Sequence, residues 1–102
     1  MLDVVARDLE SVAELCRRVG ALRLDIFGSA VRSDFDPKTS DFDFWVDLGD
    51  LPPARYAEAF FLLKDNLETP FGRSIDLITE ASLENPTFRA RVNAERHTIY
   101  AR

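Results

Sequence analysis

The sequence is poor in the residues that mark secreted, zinc-binding and membrane proteins. Its 102 residues include one cysteine, Cys16, and one histidine, His97. A single cysteine cannot close an intrachain disulfide, and neither residue has the partners that a zinc site requires. No apolar run approaches the roughly 20 residues of a membrane span, and charged residues among the first ten positions interrupt any signal-peptide core. We therefore expect a cytoplasmic protein without a membrane anchor.

The sequence also contains fewer basic than acidic residues. Thirteen Lys and Arg against 18 Asp and Glu give a net charge of −5. Proteins that bind a nucleic-acid backbone nonspecifically carry the opposite charge, so nucleic acid is not expected as the main partner. The length suits one compact domain, residues 1–102, with a modest hydrophobic core.

Hydrophobic spacing predicts helices and strands that alternate along the chain. The predicted elements are, in order, a helix over residues 4–19 ending at Gly20, a strand over 22–27, a turn or short helix after Gly28, a strand over 42–48, a helix from Pro53 to near Pro70, a strand over 75–78, and a last helix. That helix opens at Asn85 and is predicted to carry Phe88, Val92, Ile99 and Tyr100. This order predicts an α/β (α+β) fold, in which helices pack on a small mixed sheet.

Two aspartates lie in a run of residues typical of a β-strand, where aspartate is uncommon. Asp41 and Asp43 lie two residues apart in DFDFWVDL, so a strand would place both on one face with Cα atoms about 6.6–7 Å apart. Such carboxylates repel each other unless a cation lies between them, and their spacing suits magnesium. Asp76 interrupts another apolar strand, and if the strands are neighbours it completes the carboxylate set of a two-metal phosphoryl-transfer site. The alternative is a group of solvated charges at strand ends.

An earlier copy of the same tetrapeptide, SDFD, occupies residues 33–36 and competes for the metal role. Pro37 follows it and has no N–H for a sheet, so residues 34–37 are predicted to form a loop. A calcium-binding EF-hand beginning at Asp34 is excluded, because its sixth position is Thr39 rather than Gly. We therefore predict that Asp34 and Asp36 are loop carboxylates in water and that Asp41 and Asp43 are the metal pair.

Gly28 and Ser29 follow the first predicted strand and precede a turn. Ser29 can cap that turn and hold a phosphate with its N–H and hydroxyl, although the same pair is common in ordinary turns. No Walker lysine follows, which excludes a P-loop. Arg32 has two interpretations, as a phosphate contact or as a structural ion-pair partner.

Together these motifs resemble the nucleotidyltransferase superfamily that includes DNA polymerase beta, and more narrowly its minimal nucleotidyltransferase (MNT) domains. The resemblance covers essentially the whole chain and implies the nucleotidyltransferase fold. It also implies a triphosphate at Gly28 and Ser29, two Mg²⁺ ions on Asp41 and Asp43, and Asp76 as a metal ligand that activates the attacking hydroxyl. Two departures concern the loop before Asp41, which is slightly longer than the commonest form and has Ser33 where many relatives have glycine.

The resemblance further implies an enzyme that transfers a nucleoside monophosphate, most simply AMP from ATP, to a protein hydroxyl and releases pyrophosphate. Many stand-alone MNT domains are antitoxins of HEPN-domain ribonuclease toxins, so a HEPN-domain partner and a homo- or hetero-oligomer are implied as well. The alternative is a non-catalytic module that neutralises or scaffolds a partner by contact, with a vestigial metal site. The apolar run at residues 60–63 either packs into the core on both sides of its helix or is partly exposed as a surface for a partner. The arginines of the last helix either form a solvated face or bind an anion.

Overall fold

The computed structural model describes residues 7–32, 36, 41–72 and 74–102, and within them a mixed four-stranded sheet carries helices on both faces. The elements are, in chain order, α1 (Leu9–Val19), β1 (Arg23–Phe27), a 3₁₀ turn (Gly28–Ala30), β2 (Phe42–Asp47), α2 (Pro53–Phe71), β3 (Ile75–Ile78), a second 3₁₀ turn (Glu80–Leu83), α3 (Pro86–Glu95) and β4 (His97–Ala101). The predicted mixed α/β fold is confirmed. In the part of the chain just defined, no helix combines the length and apolar character that a membrane crossing needs.

The sheet has the strand order β3-β2-β1-β4. β1 is antiparallel to both β2 and β4, whereas β2 and β3 are parallel. The carboxyl end of β1 therefore meets the amino ends of β2 and β3 at one edge of the sheet. Two register pairs fix this edge: Phe27 lies opposite Asp43, and Asp43 lies opposite Asp76.

The main core lies between one face of the sheet and the helices α1 and α2. Alternate residues of β2 point to this face, where Phe42 and Phe44 are fully buried. The Phe71 ring, at the end of α2, lies 4.8 Å from the Phe42 ring centroid in an edge-to-face arrangement. β2 is thus held by apolar packing on this side, and its intervening residues are turned to the other side.

The opposite face of the sheet is covered by α3 and the second 3₁₀ turn. Trp45 of β2 packs there with Phe27, Leu83 and Val92 in a smaller apolar cluster. Asp43 precedes Trp45 by two residues and so belongs to the same face. The acidic end of β2 therefore lies on the side of the sheet that carries α3.

A buried carboxylate ties α3 to the sheet. Asp25 of β1 has no exposed surface and accepts hydrogen bonds from Arg23 Nε at 2.9 Å and Arg96 Nε at 2.8 Å. Although burial opposes its ionisation, hydrogen bonds from Arg23, Thr98 and Arg96 hold the pKa of Asp25 below its ordinary value. Arg96 follows α3 directly, and its guanidinium carbon lies 4.3 Å from the Trp45 ring centroid. These contacts fix the carboxyl end of α3 over β1.

The last helix is shorter than the sequence predicts. α3 ends at Glu95, and Arg96 takes extended backbone angles of φ −61° and ψ 140°. Ile99 and Tyr100 lie in β4 and pack against the main core, so the prediction of a helix that carries them is wrong. The β-branched and aromatic residues at the end of the chain favour a strand, and pairing with β1 outweighs the helical spacing.

The apolar run in α2 divides between the core and the surface. Leu63 is fully buried in the main core. Phe61 is 58% exposed and Leu62 is 45% exposed, so the interpretation of the run as partly surface is the one that the structure supports. α2 begins at Pro53, as predicted, and ends at Phe71, next to the predicted end near Pro70.

Candidate active site

The predicted acids meet at the edge of the sheet defined by β1, β2 and β3. Asp43 is half-buried in β2 and lies opposite Asp76 of β3, on neighbouring strands that are typically about 4.8 Å apart. Asp76 is exposed, and so is Asp41. Asp41 lies one residue before β2 rather than inside it, a small shift from the prediction. The topology thus brings acids from two distant stretches of sequence to one place.

Gly28 lies directly behind the Asp43 carboxylate. It adopts a positive φ of 77°, and a Cβ added to it would overlap Asp43 Oδ2 and lie 3.2 Å from Asp43 Cγ. Only glycine allows the turn to approach this carboxylate so closely. The turn predicted after β1 is confirmed as a 3₁₀ turn. Ser29 lies inside this turn, which Phe27 precedes, so the predicted capping role of Ser29 is wrong.

The ionised carboxylate of Asp43 lies in an electrostatically unfavourable environment. Burial, followed by the carboxylates of Asp76 and Asp41, raises the pKa of Asp43 from 3.8 to about 6. Arg32 and Arg91 partly oppose this rise in its pKa. Negative charge is therefore in excess around Asp43, and a bound cation would relieve it.

The positive groups of the site are joined by a residue that sequence reasoning missed. Glu95 of α3 accepts hydrogen bonds from Arg32 Nη1, with 2.6 Å to each carboxylate oxygen, and from Arg91 Nε at 3.3 Å. Arg32 thus has the ion-pair partner that one of its two interpretations requires, while a phosphate contact stays a prediction. No local motif identifies Glu95, because the pairing joins residues 63 positions apart.

The donor set suits magnesium, which prefers carboxylate oxygens. Among residues 7–32, 36, 41–72 and 74–102, no three His, Cys, Asp or Glu side chains converge closely enough to enclose one metal ion. Magnesium seldom needs such a cage, since it is usually held by one or two carboxylates together with water and substrate phosphates. Asp41, Asp43 and Asp76 therefore fit ions that are shared with a nucleotide.

The acids lie at an open edge of the protein. A cleft of about 450 Å³ lies elsewhere, at the carboxyl ends of β2 and β3, and its lining includes Leu48, Tyr56 and Thr79. Of the competing loop acids, Asp36 is exposed, whereas Asp34, with Ser33, Pro37 and Ser40, lies outside the described residues.

Solved structures with the same fold include nucleotidyltransferases. A candidate minimal nucleotidyltransferase matches with a TM-score of 0.70 at 29% identity, over 93% of this chain and 92% of that chain. A chain of the complex between a tri-AMPylated HEPN toxin of Shewanella oneidensis and its MNT antitoxin matches with a TM-score of 0.62 at 17% identity, over 95% of this chain and 72% of that one. A toxin–antitoxin complex with AMP-PNP gives 0.63 at 17% identity, over 93% and 74%. At 17% identity the similarity shows the fold alone.

The sequence also matches a family model. Among curated proteins, none is significantly similar to this chain. The model of the nucleotidyltransferase domain, however, matches residues 10–101, which include every acid and both turn residues described above. The chain therefore belongs to the nucleotidyltransferase domain family.

Proposed function

We propose that residues 1–102 act as one domain, a magnesium-dependent protein adenylyltransferase that transfers AMP from ATP to a protein hydroxyl in the cytoplasm. The observation that carries this proposal is the convergence of Asp43 and Asp76 at the sheet edge, with Gly28 packed behind Asp43. Two Mg²⁺ ions, when bound, would neutralise the phosphates and polarise the bond that breaks. Asp41, Asp43 and Asp76 are the residues that would hold them.

We assign a part of the proposed reaction to each group of the site. The turn at Gly28 and Ser29 adjoins Asp43, so phosphates bound at the turn lie beside the carboxylates. The acceptor hydroxyl oxygen forms a bond to the α-phosphorus while the bond from this phosphorus to the bridging oxygen breaks, and pyrophosphate leaves. Asp76, which is exposed at the edge, accepts the proton of the hydroxyl.

Two further observations support a protein acceptor and ATP as the donor. Asp41 and Asp76 are exposed, so the side chain of a folded protein can reach the edge without entering a deep pocket. The structural relatives include an MNT antitoxin with a tri-AMPylated HEPN toxin and a toxin–antitoxin complex with AMP-PNP. By analogy, we infer an antitoxin that modifies a HEPN-domain toxin.

The test replaces single acids by Asn and measures two quantities, the transfer of labelled AMP and the magnesium-dependent rise in melting temperature with ATP. Asp41→Asn and Asp43→Asn are expected to abolish both, because each removes a charge that the metal requires. The matched controls, Asp34→Asn and Asp36→Asn, change the acids that the sequence analysis assigns to a loop, and they should retain transfer within a few-fold of wild type, since substitutions away from a site cost little. Loss of activity in a control as complete as that in Asp43→Asn would refute the assignment of the metal pair.

The second candidate function, a binding module that neutralises its partner by contact, is favoured by the exposed apolar residues of α2. We expect Phe61→Ser combined with Leu62→Ser to weaken binding of a co-expressed HEPN-domain protein, because solvent-exposed apolar patches commonly form protein interfaces. Copurification and hydrogen exchange of α2 measure this effect. A binding module alone would still capture its partner after Asp43→Asn, without modifying it. Unchanged capture and unchanged exchange in the double variant would exclude this face of α2 as the interface.

A further inference from the structure

We propose that Arg91 is a phosphate-binding residue, which contacts the β- and γ-phosphates of the nucleotide from α3. This inference rests on the proposed function, because it assigns a further contact to the same site. The ligand chemistry is that of a pyrophosphoryl group, either as part of a nucleoside triphosphate or as the leaving group.

The first support is the position of Arg91 beside Arg32. Both guanidiniums bind one carboxylate: Arg32 Nη1 lies 2.6 Å from Glu95 Oε1, and Arg91 Nε lies 3.3 Å from the same atom. The Glu95 side chain is only 12% exposed, so this bridge is held between α3 and the residues that follow the turn. The backbone N–H of Arg32 in turn donates to the Gly28 carbonyl at 3.1 Å. Arg91 is thereby connected to the turn that packs behind Asp43.

The second support is the charge of the cluster formed by Arg32, Arg91 and Glu95. Arg91 adds a second guanidinium to the pair formed by Arg32 and Glu95, so an anion at this place would meet more than one positive group. The positive charges of Arg32 and Arg91 both act on the Asp43 carboxylate at the centre of the site. An anion bound between the turn and α3 would lie within the influence of both guanidiniums.

The third support is the difference between Arg91 and the neighbouring arginines in the sequence, Arg89 and Arg96. Arg89 is engaged by Glu80 at 2.6 Å and by the Leu83 carbonyl at 2.8 Å. Arg96, which directly follows the helix, is engaged in the buried contact with Asp25. Arg91 contacts Glu95 through Nε, and 60% of its side chain is exposed. Its planar guanidinium is thus largely open to solvent, and such a group can donate to two phosphate oxygens at once.

The chemistry of the proposed reaction gives a reason for an arginine at this position. Pyrophosphate gains negative charge when the bond between the α-phosphorus and the bridging oxygen breaks. A guanidinium beside the terminal phosphates stabilises that charge as it develops, and the effect is largest where the donor is already in place. AMP has no β- or γ-phosphate, so its binding does not involve Arg91.

The experiment measures the dissociation constants of Mg-ATP, magnesium pyrophosphate and AMP by calorimetry for the wild type and for Arg91→Ala. We expect the Ala variant to bind Mg-ATP and pyrophosphate about 10-fold more weakly, the usual loss for a hydrogen bond to a charged group, and AMP as the wild type does. Arg91→Lys, which keeps the charge but not the planar donors, should give a smaller loss. Arg55→Ala, which removes an exposed arginine from α2 on the other face of the sheet, is the matched control and should change none of the three.

Two outcomes separate failure of this inference from failure of the proposed function. If the wild type binds Mg-ATP and Arg91→Ala binds it equally well, the assignment of Arg91 is overturned while the proposed function stands. Equal weakening of ATP and AMP would also overturn it, because it would indicate general damage to the fold. A wild type that binds neither Mg-ATP nor pyrophosphate would overturn both proposals.

Discussion

Asp43→Asn is expected to stabilise the metal-free protein, although it should abolish the proposed AMP transfer. The pKa of Asp43 is raised from 3.8 to about 6 in the folded state, chiefly by burial and then by Asp76 and Asp41. A carboxyl with a raised pKa binds its proton more tightly when folded, so its contribution to stability is complete below pH 3.8 and is lost as the pH rises through 6. The full shift would correspond to about 3 kcal/mol, and the partial exposure of Asp43 reduces our expectation to about 1–2 kcal/mol at pH 8.

Urea unfolding in the presence of a chelator, at pH 4 and at pH 8, measures this effect. As the pH rises from 4 to 8, the wild type should lose more stability than Asp43→Asn, because the variant has no carboxyl to ionise at this position. Asp50→Asn, an exposed acid in the loop after β2, is the control and should remain within about 0.5 kcal/mol of wild type. Added magnesium and ATP should then raise the stability of the wild type alone, because a ligand stabilises only the state that binds it. A variant that is less stable than wild type at pH 8 without metal would contradict the electrostatic account.

Gly28→Ala should damage both the stability and the activity of the protein. Its φ of 77° is unfavourable for alanine by about 1–2 kcal/mol, and the new methyl group would overlap Asp43 Oδ2. The turn and the carboxylate must then move apart. Because misplacement of a reacting group by about 1 Å can cost 10²-fold in rate, we expect AMP transfer to fall by at least that factor.

Gly20→Ala separates these two effects. Gly20 has nearly the same φ, 79°, but an added Cβ would meet no atom within 4 Å. We expect this variant to show a similar loss of stability from backbone strain and to retain full activity per folded molecule. Equal activity of the two variants, each corrected for its folded fraction, would show that the close approach of Gly28 to Asp43 has no catalytic importance.

The sequence predicts the acidic edge well because its signals are local. Asp43 and Asp76 each interrupt an apolar strand, and this conflict with strand propensity is visible within a few residues. The proximity of Gly28 follows from a turn placed directly after β1. The site assignments themselves stay predictions until the variants are measured.

Features that depend on distant contacts were not predictable in the same way. Val92 and Ile99 are spaced as on one helix face, yet Ile99 belongs to β4, whose formation depends on the register with β1. The Arg32–Glu95 pair likewise depends on how α3 crosses the sheet, an angle set by Trp45 packing and by the Asp25–Arg96 contact. Neither arrangement leaves a pattern in the neighbouring sequence.

The register pair between Phe27 and Asp43 has a consequence for how such a site can diversify. Backbone pairing, rather than the intervening segment, holds the two ends of residues 28–42 together. The entropy of closing a chain segment whose ends are fixed grows slowly with its length, since a doubling of the length costs only about 0.6 kcal/mol. Insertions between Arg32 and Asp41 can therefore accumulate without displacing Asp43 from Gly28, which agrees with a loop slightly longer than the commonest form. The length of the chain between Arg32 and Asp41 can thus vary among related proteins while the Asp43 carboxylate keeps its position.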